Sequence, residues 1–327
     1  MTSPNRRNLE RRESAVTGEW PEQLAVKICW YYYMLGLTQQ EVADRVGTNR
    51  VRVNRLLAEA RQRGLVQVSI TSPLAANVAL EQRLIDRYGL QSATVVLPAE
   101  PNDPDPSETL GRCAAASVAT LYHNGMTVGI AWGVTLKAMA RATPLLALKD
   151  VAVVSMLGSL SRRSSVDAFE ATTDLATRLN AECYYLPGPI ICDSEASRDT
   201  LVHQPMVQEV YAKCLSADLG IVSVGGMDSA TVRRMRVVTE EEFRSAAAAG
   251  AIGNFLGSFI DADARAIDHP VNRRVFGVSP QDFLRIPRRM MISGGPPKVP
   301  AIRALLRAGY LTDIVTDSTT AEALCDD

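Results

Sequence analysis

Between Gly36 and Gly64 the chain is punctuated so closely that one local architecture accounts for it. Gly36 stops a first amphipathic segment, Glu22 to Leu35, in which Leu24, Ile28, Tyr31, Tyr32 and Leu35 recur at three- and four-residue spacing. Thr38-Gln39-Gln40-Glu41 then reads as a capping box, with the Thr38 hydroxyl accepting from the third amide of a new helix while the Glu41 carboxylate reaches back. That helix runs to Val46, Gly47 permits a tight turn, Thr48 is placed to cap again, and a third helix runs through Val53, Leu56 and Leu57 to Gly64. Two helices joined by a short glycine turn form a helix-turn-helix. The alternating run Leu65-Val66-Gln67-Val68-Ser69-Ile70 predicts a following strand, and so a wing.

Such a unit needs Val42, Ala43, Val46, Val53 and Leu56 inside, which leaves Asn49, Arg50, Arg52, Asn54 and Arg55 projecting from the first turns of the third helix. A recognition helix meets base edges with those turns. An arginine can donate two parallel hydrogen bonds to guanine, and an asparagine can pair in the same way with adenine. Thr38, Gln39 and Thr48, at the two helix starts, complete the candidate DNA-contacting set. From Arg45 to Gly64 there are six arginines against the single acid Glu59, and Arg61 and Arg63 are placed for phosphates. The same polarity marks the whole amino-terminal end: residues 1–70 hold 11 basic and 7 acidic side chains, although the chain overall carries a net charge of -1. A polyanion is the partner that this end suits. Tyr31 to Tyr33 read as helix-packing residues.

At 327 residues the chain suggests two domains. With 46% hydrophobic and 22% charged residues it has a soluble composition, and no window approaches the roughly 18 charge-free apolar residues of a spanning helix. We expect a disordered tail over 1–20, because the arginines before Glu13 precede no apolar signal core. The helix-turn-helix domain is expected over 21–71 and the large domain over 73–327, with the hinge at Ser72-Pro73. Six cysteines lie far apart without a CxxC pair, and there are three histidines. Neither a metal site nor a cofactor is expected, and free thiols fit a cytoplasmic setting.

Beyond the hinge, strand-like runs at Ala93–Leu97, Met126–Ala131, Val151–Leu157, Cys183–Leu186, Leu219–Val224 and Asp313–Thr316 alternate with helical patterns. Alternation of this kind predicts an α/β, Rossmann-like and mostly parallel sheet. The segment from Phe255 to Val278, around Asp261-Ala262-Asp263-Ala264, breaks the pattern and reads as an inserted hairpin. Ligands of such sheets bind beyond the carboxyl ends of the strands. Gly129-Ile130-Ala131-Trp132-Gly133-Val134-Thr135 ends a strand and opens a helix, offering amides, a hydroxyl and a helix amino terminus to a phosphate or a polyol. Leu157-Gly158-Ser159 occupies a second strand end. In Ser293-Gly294-Gly295-Pro296-Pro297-Lys298 paired glycines let backbone approach a ligand, and Lys298 is either a ligand cation or a surface lysine. Asp261 either binds vicinal hydroxyls or shapes its turn, and Arg274 either anchors a phosphate or pairs with an acid.

In this order the motifs resemble the SorC family of bacterial sugar-responsive regulators. The resemblance rests on the helix-turn-helix, Gly129 to Thr135, Gly250-Ala-Ile-Gly-Asn254, Phe259-Ile-Asp261, Arg274-Val-Phe-Gly277, Ser293-Gly-Gly with Lys298, Ala301-Ile-Arg303 and Val315-Thr-Asp317-Ser-Thr-Thr-Ala321. It implies an amino-terminal DNA-binding domain and a sugar-binding domain similar to ribose-5-phosphate isomerase and glucosamine-phosphate deaminase. A dimer or tetramer is implied as well. The family's ligand loops fall here on Gly129, Trp132, Gly133, Thr135, Gly158, Asp261, Arg274 and Lys298. Two departures bear on the effector: Trp132 stands where phosphate-binding relatives favour small polar residues, and Ser159 replaces a second glycine. The apolar face of Trp132 favours an unphosphorylated polyol, and Ala181-Glu-Cys-Tyr-Tyr-Leu-Pro-Gly-Pro189 is similar to erythritol-type regulators. The expectation is a repressor of a carbohydrate or polyol operon, acting on double-stranded operator DNA and answering to a small sugar, polyol or sugar phosphate. The alternative is a sugar-phosphate isomerase or deaminase using Asp261 and Lys298. It leaves the reading helix without a purpose and lacks a nucleophile–base pair.

Overall fold

The computed structural model describes residues 21–68, 72, 74–97, 106–159, 168–227, 233 and 236–326; the tail expected over 1–20 lies outside them. The chain divides into two compact units at Ser72/Pro73.

In the first unit α1 (Pro21–Cys29) runs into a π turn, Trp30–Met34, followed by α2 (Gln39–Val46) and α3 (Arg50–Gln62). Thr38 and Glu41 form the capping box, and Gly47 ends α2 in the left-handed conformation at φ 69°. The core is Ile28, Cys29, Val42, Ala43, Val53, Leu57 and Ala60. Two expectations need correction. The cap of α3 is Asn49 rather than Thr48, its carboxamide oxygen accepting from the Arg52 amide at 2.8 Å. No strand forms over Leu65 to Val68, while Ser69 and Ile70 lie outside the described residues. Val68 is exposed and Val66 packs partly against the helical core, so the run has a helix surface rather than a sheet to join.

The second unit begins with α4 (Ala75–Tyr88), β1 (Ser92–Val96), α5 (Ser107–Ala119), β2 (Thr127–Ile130), α6 (Val134–Ala142) and β3 (Ala152–Ser155). It continues through α7 (Ala168–Leu179), β4 (Glu182–Tyr184), α8 (Glu195–Val202), α9 (Pro205–Leu215), β5 (Leu219–Val222) and β6 (Val224–Gly226). Then come α10 (Glu240–Ala248), β7 (Gly253–Phe255), β8 (Ser258–Ile260), α11 (Pro270–Arg273) and α12 (Pro280–Phe283). The unit closes with β9 (Arg288–Ile292), α13 (Val299–Arg307), β10 (Asp313–Asp317) and α14 (Ser318–Cys325).

Seven parallel strands form one sheet in the order β1-β10-β9-β5-β2-β3-β4. Their residues are largely buried, as apolar strands covered by helices must be. From β2 the chain steps outward to β3 and β4, then returns to lay β5 on the other side of β2. The sheet therefore has its switch point between β2 and β5. The run Leu219–Val224, expected as one strand, is divided: Val222 ends β5, and Val224 opens a three-stranded antiparallel sheet, β6-β7-β8. The expected hairpin is β7-β8, but it turns at Leu256 and Gly257, whose φ values are 47° and 78°. Asp261 to Ala264 form a separate turn after β8. Strand β9 has no counterpart among the expected strands, because Arg288 and Arg289 open it.

Candidate functional site

Helix α3 presents the candidate DNA-reading side chains. Val53, Leu57 and Ala60 face the core, leaving Arg50, Arg52, Asn54 and Arg55 exposed. Their surroundings differ. Gln39, at the first position of α2, bridges two of them: its carboxamide oxygen accepts from Arg50 Nε at 3.5 Å, and its amide donates to Asn54 Oδ1 at 3.4 Å. Arg55 meets Glu59 at 3.5 Å across an exposed helical turn. Asn49 is occupied as the helix cap. Arg61 donates to the Tyr33 hydroxyl at 2.6 Å and Arg63 meets Glu22 at 3.3 Å, so both arginines expected on phosphates also brace α3 against α1 and the π turn.

In the large unit, loops following β2, β5, β9 and β10 emerge side by side at the carboxyl edge of the sheet. Trp132, Gly133 and Thr135 lie in the first of them, at the switch point. Ala131 still bonds to the Ile221 carbonyl of β5, after which the two chains part. Gly133 turns at φ 137° to start α6, whose leading amides have no acceptor within the helix. Trp132 is only 8% exposed and joins the core. Gly129 lies within β2, and a Cβ there would stand 3.0 Å from Met156 Sδ, so its smallness serves packing.

The loop after β9 is held from three directions. The Gly295 amide donates to Asp317 Oδ2 at 3.0 Å and to Thr320 Oγ1 at 2.8 Å, and a Cβ on Gly294 would lie 2.1 Å from that same carboxylate oxygen. Backbone at Gly226 passes so close to Pro297 that a Cβ would come within 2.1 Å of its carbonyl oxygen. Lys298 is not a surface lysine: it is 8% exposed, and its ammonium donates to the buried Ser107 hydroxyl at 2.8 Å.

On the β3 side the Gly158 amide donates to the Phe276 carbonyl at 3.0 Å, two residues on from Arg274, whose own carbonyl accepts from the Cys192 amide at 2.9 Å. Past β3, Leu157 pairs with Gly277 and Ser159 with Pro189, and a Cβ on Gly158 would stand 2.5 Å from the Gly188 carbonyl oxygen. Arg274 forms an ion pair with Glu242 and donates to the Cys192 carbonyl, so of its two expected roles the structure shows the acid pair. Burial pushes the Glu242 carboxyl upward, but hydrogen bonds from Thr239 and the Arg274 guanidinium outweigh it and hold the pKa below the usual value. The Asp261 carboxylate accepts from the Asp263 and Arg265 amides at 3.0 and 2.9 Å and so shapes its turn. It raises the pKa of Tyr310, behind the larger effect of burial, and Tyr310 precedes β10, whereas Lys298 follows β9. The loops of Trp132, Gly294 and Lys298 thus share one edge, with Gly158 and Arg274 beyond β2.

No cluster of His, Cys, Asp and Glu suited to a metal occurs among the described residues, all six cysteines are free thiols, and no described helix is long and apolar enough to cross a membrane.

Residues 72–326 match the Sugar-bind family, a sugar-binding domain, and residues 24–73 match the Crp-like helix-turn-helix domain. The chain belongs to the SorC family of sugar-binding transcriptional regulators. It is 30% identical over 308 residues to the erythritol catabolism regulatory protein EryD of Brucella abortus, covering 93% of this chain and 96% of that one. The transcriptional regulator LsrR of Klebsiella pneumoniae is 29% identical, with 93% of each chain covered. The full-length sorbitol operon regulator SorC from Klebsiella pneumoniae shares the fold at a TM-score of 0.72 and 24% identity, covering 93% of this chain and 99% of that one. SorC-family proteins are regulators and not enzymes, which removes the isomerase alternative.

Proposed function

We propose that this regulator represses a carbohydrate or polyol catabolic operon and that a small ligand at the carboxyl edge of the large sheet changes its affinity for operator DNA. The observation that carries this reading is the exposed basic face of α3 in the same chain as a ligand-type sheet whose switch-point loops converge. Thr38, Gln39, Thr48, Asn49, Arg50, Arg52, Asn54 and Arg55 form the DNA-facing set, in which Asn49 and Gln39 hold the others in place. Trp132, Gly133, Thr135, Gly294 and Lys298 lie at the ligand edge, with Gly129 and Gly158 shaping it and Arg274 beyond β2, while Asp261 shapes the turn after β8. A neutral polyol suits this set better than a phosphate, because the Arg274 guanidinium is already matched by Glu242 and the Cys192 carbonyl. The similarity to a protein named for erythritol catabolism points the same way. The protein works in the cytoplasm as a homo-oligomer, a dimer or a tetramer, since a palindromic operator requires at least two copies.

A ligand acts on such an equilibrium only through its different affinity for the two states. The test is thermal melting of the full chain against free polyols, pentoses, hexoses and their phosphates, followed by operator titration with whichever ligand stabilises it. Ligand at 100 times its Kd stabilises the native state by about 2.7 kcal/mol. A free polyol that raises the midpoint and weakens operator binding is the expected result. A shift with phosphorylated sugars alone removes the polyol assignment, and a stabilising ligand without effect on operator affinity removes the regulatory one.

A further inference from the structure

One apolar side chain stands among the arginines of α3. Val51 is 80% exposed, the largest exposure of any large hydrophobic residue among those described. A single exposed apolar residue is ordinary on a protein surface, so its position has to decide whether it means anything. At about 100° per residue, Val51 and Arg55 lie nearly opposite the buried line Val53, Leu57 and Ala60, so they point straight outward. Val51 is also in the first turn of the helix, the part that enters a groove deepest. Ala58 continues the same outward line, and its small side chain leaves the helix free to approach closely. Local stability does not explain a valine here, because a β-branched residue in an exposed first turn is a poorer helix former than lysine, glutamine or alanine. Around it Arg50, Arg52, Asn54 and Arg55 offer polar contacts only.

The major groove presents one apolar group, the C5-methyl of thymine. We infer that Val51 reads that methyl, its two γ-methyls closing over it while the flanking arginines and Asn54 engage neighbouring base edges and phosphates. The inference rests on the DNA-binding reading above and adds to it a thymine in each half-site.

Replacing thymine by uracil removes the methyl and leaves every hydrogen-bonding group in place, which makes a direct test. The full-length protein first selects its preferred duplex from random DNA. Each thymine of that duplex is then changed in turn to uracil, and Kd is measured for the wild type, Val51→Ala and the isosteric Val51→Thr. We expect the wild type to lose about fourfold at one thymine per half-site, the change that burying a single methyl produces. Val51→Ala should bind the thymine and uracil duplexes equally at that position, and Val51→Thr should retain part of the discrimination. If Val51→Ala keeps the wild-type thymine-to-uracil ratio at every position, or weakens all duplexes alike, the inference is overturned while the regulator reading stands. If the wild type enriches no sequence, both fall together.

Discussion

Asp313 is the most heavily bonded buried carboxylate of the described structure, and replacing it by asparagine gives a calculable result. Its side chain has no solvent exposure, and Oδ1 accepts from Ser92 Oγ at 2.5 Å and from Arg288 at 2.7 Å. Oδ2 accepts from Arg288 Nε at 3.1 Å and from Thr312 Oγ1 at 2.7 Å. The carboxylate thereby joins three neighbouring strands, β1, β10 and β9, at their amino ends. Removing one partner of a buried ion pair costs about 3–5 kcal/mol. Arg288 keeps 34% of its side chain in water, which screens the orphaned charge, so we take about 2–3 kcal/mol for Asp313→Asn. At about 2–4 °C per kcal/mol for a unit of this size, the melting midpoint at pH 7 should fall by about 4–12 °C.

The same residue fixes the pH dependence. Burial pushes the Asp313 pKa up, but hydrogen bonds from Arg288, Ser92 and Thr312, with the Arg288 charge, more than offset this and leave it below its ordinary value. A carboxyl with a lowered folded pKa contributes its stability above the unfolded value of about 3.9 and loses it as the pH falls through the folded value. Scanning calorimetry of the wild type and Asp313→Asn should therefore show a constant gap from pH 8 to pH 5 that narrows below about pH 4. A gap of less than about 1 °C at pH 7, or one that widens on acidification, would refute the reasoning.

Three further outcomes are expected. Thr38→Ala removes the side-chain half of the α2 capping box, leaving the Glu41 carboxylate on the backbone amide, and should cost the small first unit about 1 kcal/mol, seen as an earlier helix melt by circular dichroism and weaker operator binding. Gly226→Ala forces a methyl against the Pro297 carbonyl, where backbone must yield; a loss of about 1–3 kcal/mol should appear in denaturant unfolding, with a reduced thermal response to ligand as the Lys298 loop shifts. Glu242→Gln releases the Arg274 guanidinium, and isothermal titration should show binding of phosphorylated sugars strengthened relative to free polyols.

The sequence makes visible whatever depends on local punctuation and periodicity. Gly36, Thr38, Glu41 and Gly47 set the limits of α2, and the alternation of apolar runs with helical ones predicts the parallel sheet. Strand β9 escapes because Arg288 and Arg289 conceal its apolar half. Their charges are answered by Asp313 and by carbonyls of Ile286 and Tyr310, partners distant in the chain or in a neighbouring turn. The absence of a strand over Leu65 to Val68 marks the opposite limit, since alternation alone supplies no neighbouring strand. At the candidate site the loops were legible from their glycines, but not the division of labour among them. That Arg274 meets Glu242 and that Lys298 is buried against Ser107 follow from tertiary packing. Val51 carried a readable signal, an apolar residue at an outward position of a basic helix, which a search for polar base readers passes over.

The sheet order has a consequence for synthesis. The first strand made in the large unit, β1, has a single neighbour, β10, the last. Helix α4 before it is likewise fastened to α14, with the Tyr88 hydroxyl and the Arg83 and Arg87 guanidiniums donating to carbonyls of Leu324 and Cys325. A ribosome therefore releases the DNA-reading unit early, while the sheet behind it stays open until β10 has emerged. Should translation stop before Asp313, β9 is left as a bare edge able to pair with other chains. Closure of the sheet thus waits on β10, whose arrival covers the edges of β1 and β9 together.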